Sequence, residues 1–458
     1  GNFKHEFLLG WFFRGNRRVE AKAMLRAAVT KLLQRAAING VRRGEAQLLP
    51  SSSLRFYCAN HAPDESPVAL QMINYALGLA RSQKTDESYG EALLVLEQGL
   101  SSQSHDETDS MKESSKGMIL LAISSLLSER ENIAEAIQTL LRIQDLTNSS
   151  IGVRVAAIEA LVALNLELGL DDTSSVLADK CFNLLEKEGP KMIDDYSYKV
   201  FGARSKAIKG LVELIRGDIE SAKVFYEGCQ GEGCIGNVAL SYGEFLHAKR
   251  EFDAAKKLYQ KAIAESSEKK DFSDPYAVAA CNMSSQEVLL ASTCALGQLE
   301  SHLGDFPAAE EMLVRALKKA EEYFGTYHPK VGTVLTCIAL MYRQKAIAEC
   351  SSSLLVQEGL YRKALDLLKA PALETDDVRG DVVKVSENME KRDIIALARG
   401  AYAEVLGVHE NRKAEGKRMK CWAEAVWRNR RLSLAEALDI SETSTKVPVV
   451  DARIFRVL

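Results

Sequence analysis

The sequence predicts an all-α fold, an α-solenoid of about seven to eight irregular helical hairpins, and three observations predict it. Helix breakers are sparse: 458 residues carry 29 glycines and 9 prolines, and proline at about 2% is well below the usual ~5%. The chain is 47% hydrophobic and 27% charged, an ordinary globular balance that supports a core and excludes a wholly disordered chain. Short segments with helical periodicity recur along most of the length, as an array of hairpins requires. No run of 18 or more apolar residues is present, so no membrane-spanning helix is expected.

The hairpins are read from four segments that share one pattern: GDIESAKVFYEGC (217–229), REFDAAKKLYQKA (250–262), GDFPAAEEMLVRA (304–316) and EGLYRKALDLLKAP (358–371). Each places a small residue after a turn, at Ala222, Ala255, Ala309 and Ala364, and a bulky one four residues on, at Tyr226, Tyr259, Leu313 and Leu368. Twelve residues before the first three alanines stand Gly210, Gly243 and Gly297. Small residues facing each other let two helices touch, and the bulky residue is expected to fill the groove toward the next hairpin. Weaker copies offer Ala92, Ala136 and Ala178, followed by Leu96, Leu140 and Phe182. The alanine-to-alanine steps are 44, 42, 44, 33, 54 and 55 residues. The extra length is assigned to longer helices or to polar loops such as 101–110 and 266–275.

This pattern resembles the tetratricopeptide repeat, with small residues at its eighth, twentieth and twenty-seventh positions and a bulky one at the twenty-fourth. Residues 320–346 resemble the kinesin-light-chain and MalT-like type of that repeat, through His328-Pro329, Val331, Leu335, Ala339 and Tyr342. Pro329 is placed at a helix start, where its missing N–H costs nothing. The resemblance implies a solenoid over residues 62–372, a degenerate C-terminal hairpin or cap over 373–440, and a tail over 441–458. It implies a partner-binding concave face lined by Asn237, Glu244, His247, Gln298, Ser301, Thr333, Thr336 and Arg343. Where the family has asparagines that hold a peptide backbone, this chain has Thr336-Cys337. The co-chaperone clamp of Lys and Asn is absent, its places being taken by Leu240, Glu244, Cys294 and Gln298.

Charge is uneven. Residues 1–57 hold eleven Lys/Arg against three acids, leaving a net −12 on the rest, and such a body repels nucleic acid and anionic membrane. Residues 24–57 carry six basic residues and one acid, with Leu25, Val29, Leu32, Leu33 and Ala36 at helical spacing. That is the composition of an organellar transit peptide. Arg55-Phe56-Tyr57 resembles the plant mitochondrial processing pattern, with cleavage expected after Tyr57 and delivery to the mitochondrial matrix. Residues 1–23 read as a non-native or untranslated leader.

Chemistry has no visible home. The seven histidines show no HExxH or paired spacing, and the glycines around Cys229 and Cys234 form no phosphate-binding loop. Nine scattered cysteines fit a reducing compartment and free thiols. The expectation is a non-enzymatic scaffold or adaptor with protein partners, no metal and no cofactor, with a role in the assembly of a larger complex. Two alternatives stand beside it. One is RNA or ribosome binding through Arg412, Lys413, Lys417, Arg418, Lys420, Arg428, Arg430 and Arg431 interleaved with Trp422 and Trp427. The other is redox or metal chemistry at Cys229 and Cys234. A capping helix whose tryptophans face the preceding hairpin is preferred for the basic segment, and nucleic acid is not an expected partner.

Overall fold

The computed structural model describes residues 66–101, 108–192, 194–229, 231, 233–267, 272, 274–351, 353–373, 390–440 and 446–458. The expected leader (1–23) and transit peptide (24–57) lie outside the described residues, as do residues 374–389.

The described chain is almost wholly helical. Its long helices are α1 (Pro67–Gln83), α2 (Asp86–Ser101), α3 (Asp109–Glu129), α4 (Ile133–Leu141), α5 (Ile151–Glu167), α6 (Asp171–Met192), α7 (Asp195–Ile215) and α8 (Ile219–Glu227). They continue with α9 (Gly236–Ala248), α10 (Phe252–Ser266), α11 (Ser285–His302), α12 (Phe306–Phe324), α13 (Pro329–Ala348) and α14 (Leu354–Leu367). α15 (Arg392–Gly407), α16 (Lys413–Val426) and the short α17 (Leu434–Leu438) complete the set. Among the described residues the strands are β1 (Val450–Asp451) and β2 (Arg456–Val457), paired antiparallel with Val450 opposite Val457. None of the described helices is long and apolar enough to cross a membrane.

Helices pack in chain order, each odd-numbered one against the next even-numbered one from α1–α2 to α15–α16. The odd-numbered helices also touch in succession, α1 on α3 through α13 on α15. The turn inside each of the first seven pairs holds one residue in the left-handed region: Lys84, Glu131, Gly169, Gly217, Arg250, Gly304 and Cys350. Three are glycines, for which that conformation is free of strain. At two of them the next residue caps the following helix. Asp218 Oδ1 accepts from Ser221 N at 2.9 Å, and Asp305 Oδ1 from Ala308 N at 3.1 Å. Pro329 does open α13, with His328 as its cap.

The small-residue register holds along the chain. Ala92, Ala136, Ala178, Ala222, Ala255, Ala309 and Ala364 are all 0% exposed. A Cβ added to Gly210, Gly243 or Gly297 would meet Tyr226 at 2.8 Å, Tyr259 at 2.8 Å or Leu313 at 2.7 Å. The bulky residue therefore covers the glycine of its own hairpin, a correction to the expectation that it serves mainly the next one. Tyr226 does both, since its ring also lies 5.6 Å from Tyr242 and 5.0 Å from Phe245 on α9. In α13 the equivalent close approach is at Gly332, where an added Cβ would lie 2.9 Å from the carbonyl oxygen of Ala364.

Residues that follow the expected polar loop at 266–275 are buried. In the long step between Ala255 and Ala309, residues 278–284 are buried against α3 and α5. Cys281 N donates to Ser125 Oγ at 2.9 Å, and Asn282 Nδ2 to Glu167 Oε2 at 2.8 Å. Arg204 of α7, paired with Glu159, reaches the carbonyl oxygens of Tyr276 and Val278 at 3.1 and 2.8 Å. Apolar residues Val278, Ala280 and Met283 explain the burial, and the polar run ends before them.

The register gives a direct check. Ala255→Leu should destabilise the protein by about 1–3 kcal/mol through overpacking, whereas Ala264→Leu, on the exposed side of the same helix, should be nearly neutral. Thermal melts of both variants decide it, and equal losses would contradict the register.

Candidate functional site

Residues 446–458 read as a tail, but ten of them from Val449 onward are buried against the odd-numbered helices. The reason is in their composition: eight of the twelve residues of VPVVDARIFRVL are apolar, and Val449, Val450, Ile454, Phe455, Val457 and Leu458 are 2% exposed or less. The hairpin is closed by Ala452, Arg453, Ile454 and Phe455, with Phe455 at φ +55°. A non-glycine residue in that region costs free energy. Packing of the Phe455 ring offsets it, with Lys330 Nζ 4.5 Å and Lys391 Nζ 5.6 Å from the ring centre.

Arg453 is the anchor. Its guanidinium donates from Nε to Asp451 Oδ1 (3.1 Å), from Nη1 to Asn237 Oδ1 and Ser241 Oγ (3.1 Å), and from Nη2 to Glu244 Oε2 (2.6 Å) and Asp451 Oδ2 (2.8 Å). Those five bonds use all five donors of the group. Both Arg453 and Glu244 are fully buried. Burial alone lowers the arginine pKa, but Asp451 and then Glu244 reverse this and leave it raised. Burial pushes Glu244 well up against the pull of Arg453.

A second arginine ties the hairpin elsewhere. Arg456 Nε donates to Asp393 Oδ2 of α15 at 2.8 Å, and Nη1 to Leu166 O (3.0 Å) and Asp171 Oδ1 (2.9 Å). The backbone is gripped by side chains. Gln298 Nε2 donates to Val450 O at 2.9 Å while its Oε1 accepts from Val450 N at 2.8 Å. Lys330 Nζ donates to Ala452 O (2.9 Å) and Arg453 O (2.6 Å) and pairs with Glu287 at 3.0 Å. Arg431 donates to the carbonyl oxygens of Val447 and Leu458, and Asn429 to that of Val457.

The eight residues expected on an open concave face divide accordingly. Asn237, Glu244 and Gln298 hold the chain's own tail. His247, on the same helix as Glu244, is fully buried, with Nδ1 3.1 Å from Tyr259 Oη and Nε2 2.9 Å from His302 Nδ1. Ser301 donates to Gln344 of the neighbouring helix. Thr333 and Thr336 are buried and donate to carbonyl oxygens one turn back, Pro329 at 3.4 Å and Gly332 at 2.9 Å. Arg343 pairs with Glu404, Nε to Oε2 being 2.8 Å. The face is covered rather than open. A side-chain amide that holds a backbone is supplied by Gln298 on α11. Sequence reading missed Ser241, Lys330, Asp393, Asp171, Asp451, Arg453 and Arg456. The signal for them was the dense apolar run flanking two arginines in a segment read as a tail.

The other candidates have structural occupations. Cys229 and Cys234 are buried, and Cys229 Sγ donates to Phe225 O at 3.2 Å. Burial, and then Cys234, pushes the Cys229 thiol up to about 12, so the reactive thiolate is suppressed. Among the described residues no group of three or more His, Cys, Asp or Glu is placed to hold a metal ion. The glycine-rich segment beside these thiols lines a cleft of about 560 Å³ with Phe182, Tyr198, Lys199 and Lys206. Both lysines are engaged, Lys199 with Asp195 at 2.7 Å and Lys206 with Gly228 O at 3.2 Å. In the basic segment, Trp422 and Trp427 are buried, Trp422 beneath Arg399 at 3.9 Å and Trp427 donating to Leu432 O. Arg412 pairs with Glu358 at 2.6 Å and with Glu415 at 2.9 Å.

No protein-family model matches this chain, and no curated protein matches it either.

Two outcomes follow from the geometry. Arg453→Ala leaves Glu244 and Asp451 buried without their cation and should cost about 3–5 kcal/mol in urea unfolding. Lys420→Ala, at an exposed position, should change stability by less than about 0.5 kcal/mol, and a similar effect from both would refute the anchoring role.

Burial holds His302 down at about 4, and burial with His302 beside it holds His247 well below the ordinary range. The unfolded chain binds these protons near the ordinary histidine value, so it binds more protons than the folded chain below about pH 6.5. Stability contributed by neutral histidine is therefore lost as pH falls from 6.5 toward 4, by up to ~1.4 kcal/mol per pH unit for each group. Urea unfolding at pH 7, 6 and 5 should show a shallower acid loss in His302→Asn than in the unaltered chain; parallel curves would exclude the effect.

Proposed function

We propose that the chain is a non-enzymatic scaffold of tetratricopeptide type, an α-solenoid of about eight hairpins that works in the mitochondrial matrix and grips extended protein segments with its odd-numbered helices. The observation that carries this reading is Gln298 holding both backbone groups of Val450. A side-chain amide bonded to N–H and C=O of one residue recognises an extended backbone whatever its side chain. Support for the solenoid comes from the chain-order helix pairing, the seven left-handed turns and the seven buried alanines. The basic, acid-poor pattern of residues 24–57 supports the mitochondrial address. The partners in this reading are proteins, and no cofactor takes part.

The alternatives find less support. Base stacking needs exposed aromatic faces, and Trp422 and Trp427 are covered. Redox or metal chemistry at Cys229 needs a thiolate, which burial opposes.

Fractionation of cells followed by chemical crosslinking should recover the chain from the mitochondrial matrix with protein adducts. Sub-micromolar RNA binding by the purified chain at physiological salt, lost on Arg428→Ala and Arg430→Ala, would replace the scaffold reading.

A further inference from the structure

The segment 446–458 follows α17 in the chain and is held by side chains of α6, α9, α11, α13 and α15. Its seat presents four carboxylates: Glu244 on α9, Glu287 on α11, Asp171 at the start of α6 and Asp393 on α15. Three are engaged by Arg453 and Arg456, three residues apart, with Asp451 two places before the first, and Glu287 pairs with Lys330. Asp451 supplies part of the arginine's own bonding, at 2.8 Å. The main chain is read at Val450 by Gln298 and at Ala452 and Arg453 by Lys330. Eight apolar side chains are buried, but ordering thirteen residues costs free energy of the same order. The paired charges and amide contacts therefore decide whether the segment is seated.

We propose that this groove is a receptor for protein segments of the pattern Asp-x-Arg-apolar-apolar-Arg, that residues 446–458 occupy it as an intramolecular ligand, and that a partner protein presenting such a segment displaces them. The proposal rests on the scaffold reading and names its ligand. Each part of the pattern has a physical reason. The first arginine must satisfy five donors in a dry site, where Asn237, Ser241 and Glu244 accept three, so the ligand must bring its own carboxylate for the other two. The second arginine, three residues on, reaches Asp393 and Asp171 at the other end of the seat. Lysine at either place presents a point charge without the fork, and so fails to bridge two acceptors in a plane. Tethering sets the threshold for exchange. A ligand on a short linker has an effective concentration in the millimolar range, so a free segment at micromolar concentration does not displace it. Displacement requires a partner with additional contacts, or release of the tether.

The test uses the full chain with a protease recognition sequence replacing residues 441–445, cleaved after purification, and a fluorescent peptide of residues 446–458 as the probe. Anisotropy should show no uptake of micromolar peptide by the uncut chain and saturable uptake by the cut chain. Peptide with Arg453→Ala should bind at least about 100-fold more weakly, and a shuffled peptide of equal composition should not bind. Three results would overturn the proposal. One is a cut chain that retains its own segment and takes up no probe over days, which would make the segment a permanent part of the core. Another is loss of helical circular dichroism as the segment leaves, which would mean that no preformed seat exists. The third is equal binding of the shuffled peptide. If exchange fails while protein adducts are still recovered from mitochondria, the scaffold reading stands and only this ligand is refuted.

Discussion

A guanidinium taken fully out of water must find a partner for each of its five N–H groups, and Arg453 finds them on two elements distant in sequence. Asn237, Ser241 and Glu244 come from successive turns of α9, and Asp451 comes from the strand beside it. Positions 237, 241 and 244 share one face because they are four and three residues apart. That face, lined with polar groups, would be a costly place to bury without a cation. The arginine and the helix therefore need each other, and the position of the whole hairpin follows from that requirement.

What the hairpin covers explains the burial pattern of the helices. In α10, burial is confined to one stripe, Ala255, Tyr259, Ala262 and Ser266, as expected for a helix with one side in water. Most residues of α9, α11 and the first half of α13 are buried instead. Residues 278–284 do for α3 and α5 what residues 449–458 do for α9 to α15. Two stretches outside the hairpin pattern thus close the side of the odd-numbered helices that neighbouring helices leave uncovered.

Buried polar residues on those helices acquire their meaning here. Glu167, Glu244, Glu287, Gln298 and Lys330 look like ordinary helix-surface residues in the sequence. Each is matched to a group on a covering segment or on the next helix. The match gives specificity of register, since a one-residue slip of Val450–Leu458 would turn Arg453 away from Glu244 and leave both charges unpaired. Gln298 makes the same selection through the backbone.

The sequence by itself determined the helical class, the hairpin register and the turns that glycine marks, because these depend on contacts near in sequence. Small residues recur where two adjacent helices touch, and Gly217-Asp218 and Gly304-Asp305 announce a turn and a cap. Lys84, Glu131, Arg250 and Cys350 adopt the same left-handed turn without any such mark, since the packing of the flanking helices imposes it. Eight side chains were legible as one face, and three of them do hold an extended segment. That the segment is Val449–Leu458 was decided only in the tertiary structure. Arg453 lies 209 residues from Glu244 and Arg456 lies 285 from Asp171. No local pattern encodes such pairs; they are selected by the cost of leaving a buried charge unmatched.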